Sequence, residues 1–141
     1  SFTAGPGTPE ATGITMEPGM VVTINGSSVD NGNDGAGNDY IDVDTFSFNS
    51  GTAEDVYVTL DFTGTGADLD VIITDADNNR IAGPGLIFNG TADTLDGVHE
   101  EGFLANDEGT YQTSTDYNIS VGLYVGSTGM PVDWQLNICA R

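Results

Sequence analysis

Apolar and polar residues alternate along several short stretches of the chain, as they do in β-strands that bury one face. The clearest stretch is residues 54–62, where Val56, Val58 and Leu60 share one parity and Thr59 has the other. No stretch shows the 3.6-residue period of an amphipathic helix. The pattern therefore predicts an all-β protein.

Clusters of Gly, Pro, Asn and Asp separate these stretches and mark turns. The predicted strands occupy residues 14–16, 20–24, 45–48, 54–62, 69–73, 80–82, 117–125 and 132–138, and residues 86–88 are a further candidate. Residues 89–114 lack a clear pattern and are predicted to form a long acidic loop. About eight short strands at this spacing are typical of an antiparallel β-sandwich, which we assign to residues 13–141.

Residues 1–12 differ in composition and are interpreted as an extended N-terminal arm. They are mostly Gly, Pro, Thr and Ala, and Phe2 is their only large apolar residue. Such a segment has little apolar surface with which to stay ordered alone. We expect it to be held by its own domain or by a neighbouring subunit, where it would extend a sheet edge through main-chain hydrogen bonds.

The charge balance is strongly acidic and limits the partners that the protein can bind. There are 22 Asp and Glu residues against two basic residues, which gives a net charge of −20. Nucleic acids and anionic membranes require basic patches, so both are excluded as partners. No apolar run is long enough for membrane insertion. Self-repulsion of this size lowers stability unless bound divalent cations offset it or a high-salt environment screens it.

The composition favours an extracellular protein, either secreted or on the cell surface. The chain begins at Ser1 instead of Met, as after removal of a leader. Lys is absent, and the single cysteine, Cys139, cannot form an internal disulfide. Together with abundant Asp, Asn, Gly and Thr, these features suggest a secreted prokaryotic protein.

A Ca²⁺ site is predicted in residues 30–44, a loop dense in Asp, Asn and Gly that leads into a strand. Ca²⁺ takes about six to eight oxygen ligands, and Gly allows main-chain carbonyls to turn inward and supply some of them. The candidate ligands are Asp30, Asn33, Asp34, Asn38, Asp39, Asp42 and Asp44. The loop fits neither the EF-hand spacing nor the stacked repeats of a β-roll. The alternative interpretation is a solvated, turn-rich loop.

The strand that follows this loop changes its apolar face. Ile41 and Val43 have the opposite parity to Phe46 and Phe48, which predicts a β-bulge or the end of the loop near Asp44. Asp42 and Asp44 share a parity, so both can point at one ion.

Other acidic residues are weaker candidates. Asp68 and Asp70 lie on one face of their predicted strand, where they form either a second cation site or a polar face in contact with solvent. A further candidate set consists of Glu100, Glu101, Asp107 and Glu108.

The sequence lacks the motifs of common hydrolytic and zinc sites. His99 is the only histidine, and there is no Gly-x-Ser-x-Gly motif or His/Cys cluster. We therefore predict no enzymatic activity. Trp134 and Tyr124 are candidates for stacking on sugars, but Trp134 shares the parity of Leu136 and Ile138, which favours a place in the core.

The order of the motifs resembles the bacterial pre-peptidase C-terminal domain family over residues 14–138. The matching motifs are Asp42-Val43-Asp44-Thr45-Phe46, Ala67-Asp68-Leu69-Asp70-Val71, Tyr117-Asn118-Ile119-Ser120-Val121 and Trp134-Gln135-Leu136-Asn137-Ile138. The resemblance implies a jelly-roll-like β-sandwich, frequently with calcium, that accompanies secreted peptidases and helps binding or secretion. By the same motif, Asp42 and Asp44 would be residues of the calcium site. The chain departs from the family pattern in its acidic insertion before Asp42 and in residues 89–114.

Two functional hypotheses follow. The first is a non-enzymatic structural subunit that self-assembles with Ca²⁺ into an extracellular filament or surface matrix, as a homo-oligomer or polymer joined by the N-terminal arm. The alternative is an accessory module of a secreted hydrolase that binds a polysaccharide or a protein.

Overall fold

Two β-sheets pack face to face in the computed structural model. The structure describes residues 10–29, 40–62, 66–77, 79–82, 99–105, 111–124 and 126–141, and for residues 80, 82 and 99–105 it describes the main chain. The strands are β1 (Glu10–Thr15), β2 (Val21–Ser28), β3 (Tyr40–Asn49), β4 (Asp55–Phe62), β5 (Leu69–Asp75), β6 (Arg80–Ala82), β7 (His99–Ala105), β8 (Asp116–Tyr124) and β9 (Val132–Ala140).

One sheet has the strand order β1-β3-β8-β5-β6 and the other the order β2-β9-β4-β7. Neighbouring strands are antiparallel except β1 and β3, which are parallel. The prediction of an all-β, jelly-roll-like sandwich is confirmed, with nine strands in the described part of the chain. No helix long and apolar enough to cross a membrane occurs among the described residues.

The inward faces of the two sheets form one hydrophobic core, and the residues that alternate in the sequence supply it. Val58 and Leu60 of β4 are fully buried and lie opposite Ile138 and Leu136 of β9. Burial of such side chains is the main favourable contribution to folding, at roughly 25 cal/mol per Å² of apolar surface. Trp134 is 3% exposed, which confirms its predicted place in the core.

Two strands differ from the sequence-based expectation. β2 continues to Ser28, past the expected end at Asn25 and Gly26, because Gly26 has no side chain to collide with the Trp134 indole opposite it. β7 lies within residues 89–114, so the prediction of a loop throughout that segment is wrong. Its sequence does not alternate, but main-chain hydrogen bonds to β4 do not require alternation. The candidate strand at residues 86–88 lies outside the described residues.

β1 includes the last three residues of the predicted arm. Glu10 and Ala11 pair with Phe46 and Ser47 of β3 in the same chain. The Thr12 hydroxyl donates a 2.6 Å hydrogen bond to the Ser47 carbonyl. This part of the arm therefore belongs to the sheet of its own domain, while residues 1–9 lie outside the described residues.

Candidate functional site

A β-bulge at the start of β3 determines where the predicted calcium ligands point. Tyr40 pairs with Tyr124 of β8, and Asp42 pairs with the next residue, Leu123, so Ile41 is an extra residue on β3. From Asp42 to the end of β3 the register is regular. The predicted change of face therefore occurs at Ile41 and not near Asp44. Ile41 and Phe48 both belong to the core because the bulge resets the alternation, whereas Val43 pairs with Gly122 on the other face of the sheet.

The bulge turns Asp42 and Asp44 toward the interior of the sandwich. They pair with Leu123 and Val121, and directly opposed residues in an antiparallel pair share a face. Both partners are fully buried core residues, Asp42 is 0% exposed and Asp44 is 7% exposed. The prediction that the two carboxylates share one face is confirmed, and that face belongs to the core.

The Asp42 carboxylate is only partly satisfied by hydrogen bonds. The Val29 main-chain N–H donates a 2.7 Å hydrogen bond to Asp42 Oδ2. Asp42 Oδ1 is buried and has no hydrogen-bond partner among the described residues. A buried carboxylate oxygen in this state is costly unless a proton or a cation compensates it.

Trp134 contacts the end of β2, immediately before the Val29 N–H that donates to Asp42. Trp134 Nε1–H donates a 3.0 Å hydrogen bond to the hydroxyl of Ser28, which is 1% exposed. Ser28 immediately precedes Val29, so the core indole positions the main chain that contacts Asp42. The sequence shows no local sign of this arrangement because β9 is remote from β2 along the chain.

Burial and proximity raise the pKa values of the pair. Burial raises the pKa of Asp42 above its ordinary value, against the hydrogen bond from Val29. Burial, followed by the charge of Asp42, raises the pKa of Asp44 to about 7. A cation between the two groups would favour their ionised forms and reverse this effect.

Residues 30–39 connect, along the chain, the two segments that meet at this pair. Val29, at one attachment, donates to Asp42, and Tyr40, at the other, lies two residues before it. The predicted ligands Asp30, Asn33, Asp34, Asn38 and Asp39 lie outside the described residues. Within the described ranges, no group of three or more His, Cys, Asp and Glu residues comes together. Asp42 and Asp44 therefore fit a hard cation as two carboxylate ligands, and the remaining oxygens would have to come from elsewhere.

Asp70 lies on the opposite face of the same sheet. It pairs with Gly122 of β8, and the Tyr40 hydroxyl donates a 2.8 Å hydrogen bond to Asp70 Oδ2. The Tyr40 ring occupies the space beside Gly122, where a Cβ would lie 2.7 Å from it. Because Asp70 is 3% exposed, its interpretation as a solvent-facing residue is wrong. No local pattern in the sequence indicates this Tyr40 contact.

The structure does not bring the Asp68 and Asp70 pair together with Asp42 and Asp44. Asp68 is half-buried just before β5, and its main-chain N–H donates to the Ser127 hydroxyl at 3.0 Å. Since Asp70 lies on the outer face of the sheet and Asp42 and Asp44 lie on the core face, the sheet separates Asp70 from them. A cation site at Asp68 and Asp70 stays a prediction.

The remaining candidates are His99, the second acidic set and Tyr124. The side chains of His99, Glu100 and Glu101, and all of Asp107 and Glu108, lie outside the described residues. Tyr124 is 39% exposed and contacts the Tyr40 ring edge-on, with ring centroids 5.9 Å apart. The large apolar side chains that are exposed in the described part of the chain are Val21 and Tyr124.

Comparison with solved structures supports the resemblance seen in the sequence. The chain is similar to the pre-peptidase C-terminal domain of a collagenase from Bacillus anthracis, with a TM-score of 0.52 and 16% identity over 97% of this chain and 100% of that domain. It is also similar to PliG of Aeromonas hydrophila, a periplasmic inhibitor of g-type lysozyme, with a TM-score of 0.46 and 13% identity over 95% of this chain and 100% of that chain. No protein-family model and no curated protein matches the sequence. The resemblance to the pre-peptidase C-terminal domain is confirmed for the fold.

Proposed function

We propose that the chain is a non-enzymatic β-sandwich module of an exported protein, stabilised by a divalent cation such as Ca²⁺ at Asp42 and Asp44. The observation that carries this proposal is the fully buried Asp42 carboxylate, whose Oδ1 has no hydrogen-bond partner among the described residues. A buried, uncompensated carboxylate is strongly unfavourable. A cation bound by both carboxylates would remove that penalty.

The sequence offers few cationic side chains that could do the same. It contains no Lys and only two Arg residues. Arg141 is at the surface, where its Nε lies 2.7 Å from Asp55. A protein with a net charge of −20 and so few basic groups depends on counter-ions from solution. This dependence favours Ca²⁺ and other divalent cations as partners of the buried pair.

The proposed accessory role and location follow from the fold by analogy. The similar Bacillus anthracis structure is the pre-peptidase C-terminal domain of a collagenase. We propose that this chain likewise serves an exported protein, on the extracellular or periplasmic side, without catalysing a reaction itself.

The two finer hypotheses differ in the support they receive. A polysaccharide-binding module would be favoured by a row of exposed aromatic side chains, whereas Tyr124 is the large exposed aromatic residue in the described part of the chain. Calcium-dependent self-assembly into a filament or matrix through the arm stays a prediction. Residues 10–12 of the arm pair with β3 of the same chain, so that role would fall to residues 1–9.

Adding Ca²⁺ to chelated protein is expected to stabilise the fold. With a dissociation constant on the order of 10⁻⁴–10⁻³ M, as in extracellular modules, 10 mM Ca²⁺ should raise the melting temperature by about 3–10 °C. Differential scanning calorimetry checks this shift, and isothermal titration calorimetry checks the binding.

A charge-matched comparison separates site binding from general screening. Asp42→Asn should lose most of the Ca²⁺ response, while the exposed control Asp133→Asn, which removes the same charge, should keep it. NaCl at equal ionic strength should give a smaller shift than Ca²⁺ in the native protein. Equal Ca²⁺ responses in the two variants, or no heat of binding in the native protein, would refute the proposed site.

A further inference from the structure

The four strands at the edges of the two sheets are not equally protected against pairing with another chain. β1 contains Glu10 and has an irregular register with β3, β6 has three residues, and the sequence of β7 contains Glu100 and Glu101. Charges, irregular register and short length are devices by which proteins prevent pairing at sheet edges. β2 has none of them, since its eight residues carry no charged side chain and pair with β9 in unbroken register.

The hydrogen bonds at the start of β2 show which main-chain groups point away from β9. Gly19 N–H donates to the Ala140 carbonyl, and Ala140 N–H donates to the Met20 carbonyl, both at 2.9 Å. Main-chain groups of successive residues point alternately toward and away from the paired strand. The N–H and C=O groups of Val21, Thr23, Asn25 and Ser27 therefore point toward the open edge. No other strand of the described part of the chain pairs with β2 on that side.

We propose that β2 is an interaction surface for β2 of a second copy of this chain, paired antiparallel to form one continuous sheet across a two-fold axis. A two-fold interface needs a surface that complements itself. With the axis at Ile24, Thr23 pairs with Asn25 of the second copy and Val21 pairs with its Ser27. All four outward N–H groups of each strand then have carbonyl partners.

The charge distribution favours a second copy at this edge over other places on the molecule. Each copy has a net charge of −20, so two copies repel each other wherever acidic side chains meet. β2 is an uncharged edge strand, and its Val21 is 65% exposed. Pairing there brings neutral main-chain groups and an apolar side chain together. The remaining repulsion between the copies is screened by salt, so association should strengthen as the salt concentration rises.

The mass of the native protein in solution is the first test. Sedimentation velocity in about 1 M NaCl, where the Debye length is only about 3 Å, should show a shift from the 14.6 kDa monomer toward twice that mass as protein concentration rises. Thr23→Pro removes one outward N–H and the exposed side-chain hydrogen bond from the Thr23 hydroxyl to Asn137 Oδ1, but no main-chain hydrogen bond to β9. It should keep the protein monomeric at the same concentrations. The control variant is Thr59→Asp, which changes an outer-face residue of β4, away from the open edge. Proline is not used at this position because β4 is an inner strand.

Disulfide trapping tests the register directly. In a Cys139→Ser background, an equal mixture of Val21→Cys and Ser27→Cys chains should form cross-linked dimers, because paired Cα atoms in a β-ladder are within the range of a disulfide. Either variant alone should not cross-link, since its two cysteines would lie at opposite ends of the paired strands.

Each alternative occupant predicts a different result. If deleting residues 1–9 abolishes association and Thr23→Pro does not, the arm and not β2 joins the copies, and the proposal is overturned. A native protein that stays monomeric at all salt and protein concentrations also overturns it, as does equal cross-linking in the mixture and in the single variants. Association is measured in 1 M NaCl with a chelator present, so failure of the cation site does not decide this question.

Discussion

Replacing Trp134 by Ala is expected to lower the free energy of unfolding by about 3–5 kcal/mol, the range for removing a large buried aromatic side chain. Trp134 is 3% exposed and pairs with Gly26 on one side and with Phe62 on the other. Its ring also contacts Phe46 of the facing sheet, with centroids 6.3 Å apart. Loss of the indole thus removes packing from both sheets. Urea denaturation followed by circular dichroism measures the effect.

A double-mutant cycle isolates the contact between Trp134 and Gly26. A Cβ at Gly26 would overlap the indole, so Gly26→Ala should destabilise the native protein by about 1–3 kcal/mol through overpacking. In the Trp134→Ala background the same change should be nearly neutral, because the space is then open. The neighbouring Ser27→Ala is the control, with little effect in either background. Additive losses across the cycle would contradict this account of Gly26.

Trp134 also links the core to the candidate cation site. Trp134→Phe keeps much of the ring but removes the hydrogen bond from Nε1 to the Ser28 hydroxyl. The loss of a buried hydrogen bond costs about 1 kcal/mol. Because Ser28 precedes the Val29 donor to Asp42, the variant should also bind Ca²⁺ more weakly than the native protein.

In the presence of a chelator, the free energy of unfolding is expected to fall as pH rises from about 4 to about 7. Burial raises the folded-state pKa of Asp44 from 3.8 to about 7, so between these values the folded state holds a proton that the unfolded state has released. Stability falls with pH wherever the folded state binds more protons. The difference corresponds to at most about 4 kcal/mol for Asp44, and the raised pKa of Asp42 acts in the same direction.

Asp44→Asn should remove much of this pH dependence. Without Ca²⁺, the variant should be more stable than the native protein at pH 8 and similar to it at pH 4, because Asn stays neutral at both. Asp133→Asn removes the same charge from an exposed position and should leave the profile unchanged. Thermal denaturation from pH 4 to pH 8 measures the three profiles, and parallel profiles for native protein and Asp44→Asn would contradict the assignment.

Ca²⁺ should reverse the effect of pH on the native protein. Cation binding requires both carboxylates to be ionised, so the apparent affinity should increase as pH rises through about 7. At pH 8 with 10 mM Ca²⁺, the native protein should therefore regain stability relative to Asp44→Asn. Calorimetric titrations at pH 5 and pH 8 measure the change in affinity.

Local alternation was sufficient to predict the strands β4, β8 and β9 and their inward faces. The parity of Val58, Leu60 and Trp134 is a property of each strand alone, since successive side chains point to opposite faces whatever the strand pairs with. For the same reason, the common face of Asp42 and Asp44 could be predicted before their surroundings were known. The composition likewise determined the net charge and the shortage of cationic side chains.

Pairing between distant strands decided the features of the fold that the alternation within one strand does not specify. β7 is a strand because β4 offers it main-chain hydrogen bonds, and β1 is parallel to β3 although its neighbours in sequence give no sign of it. β2 passes through Gly26 because Trp134, on the remote strand β9, occupies the space of a side chain there. These outcomes depend on which strands meet, and the residues within a strand do not specify this.

The sequence alone thus determined that Asp42 and Asp44 follow a segment dense in Asp and Asn, in a protein with almost no basic side chains to compensate them. Only the tertiary structure decided that they face the core. The extra residue at Ile41 resets the alternation of β3, and pairing with β8 places Leu123 opposite Asp42. Burial then raises the pKa values of both carboxylates, because desolvation depends on the atoms that surround a group in space and not on its neighbours along the chain.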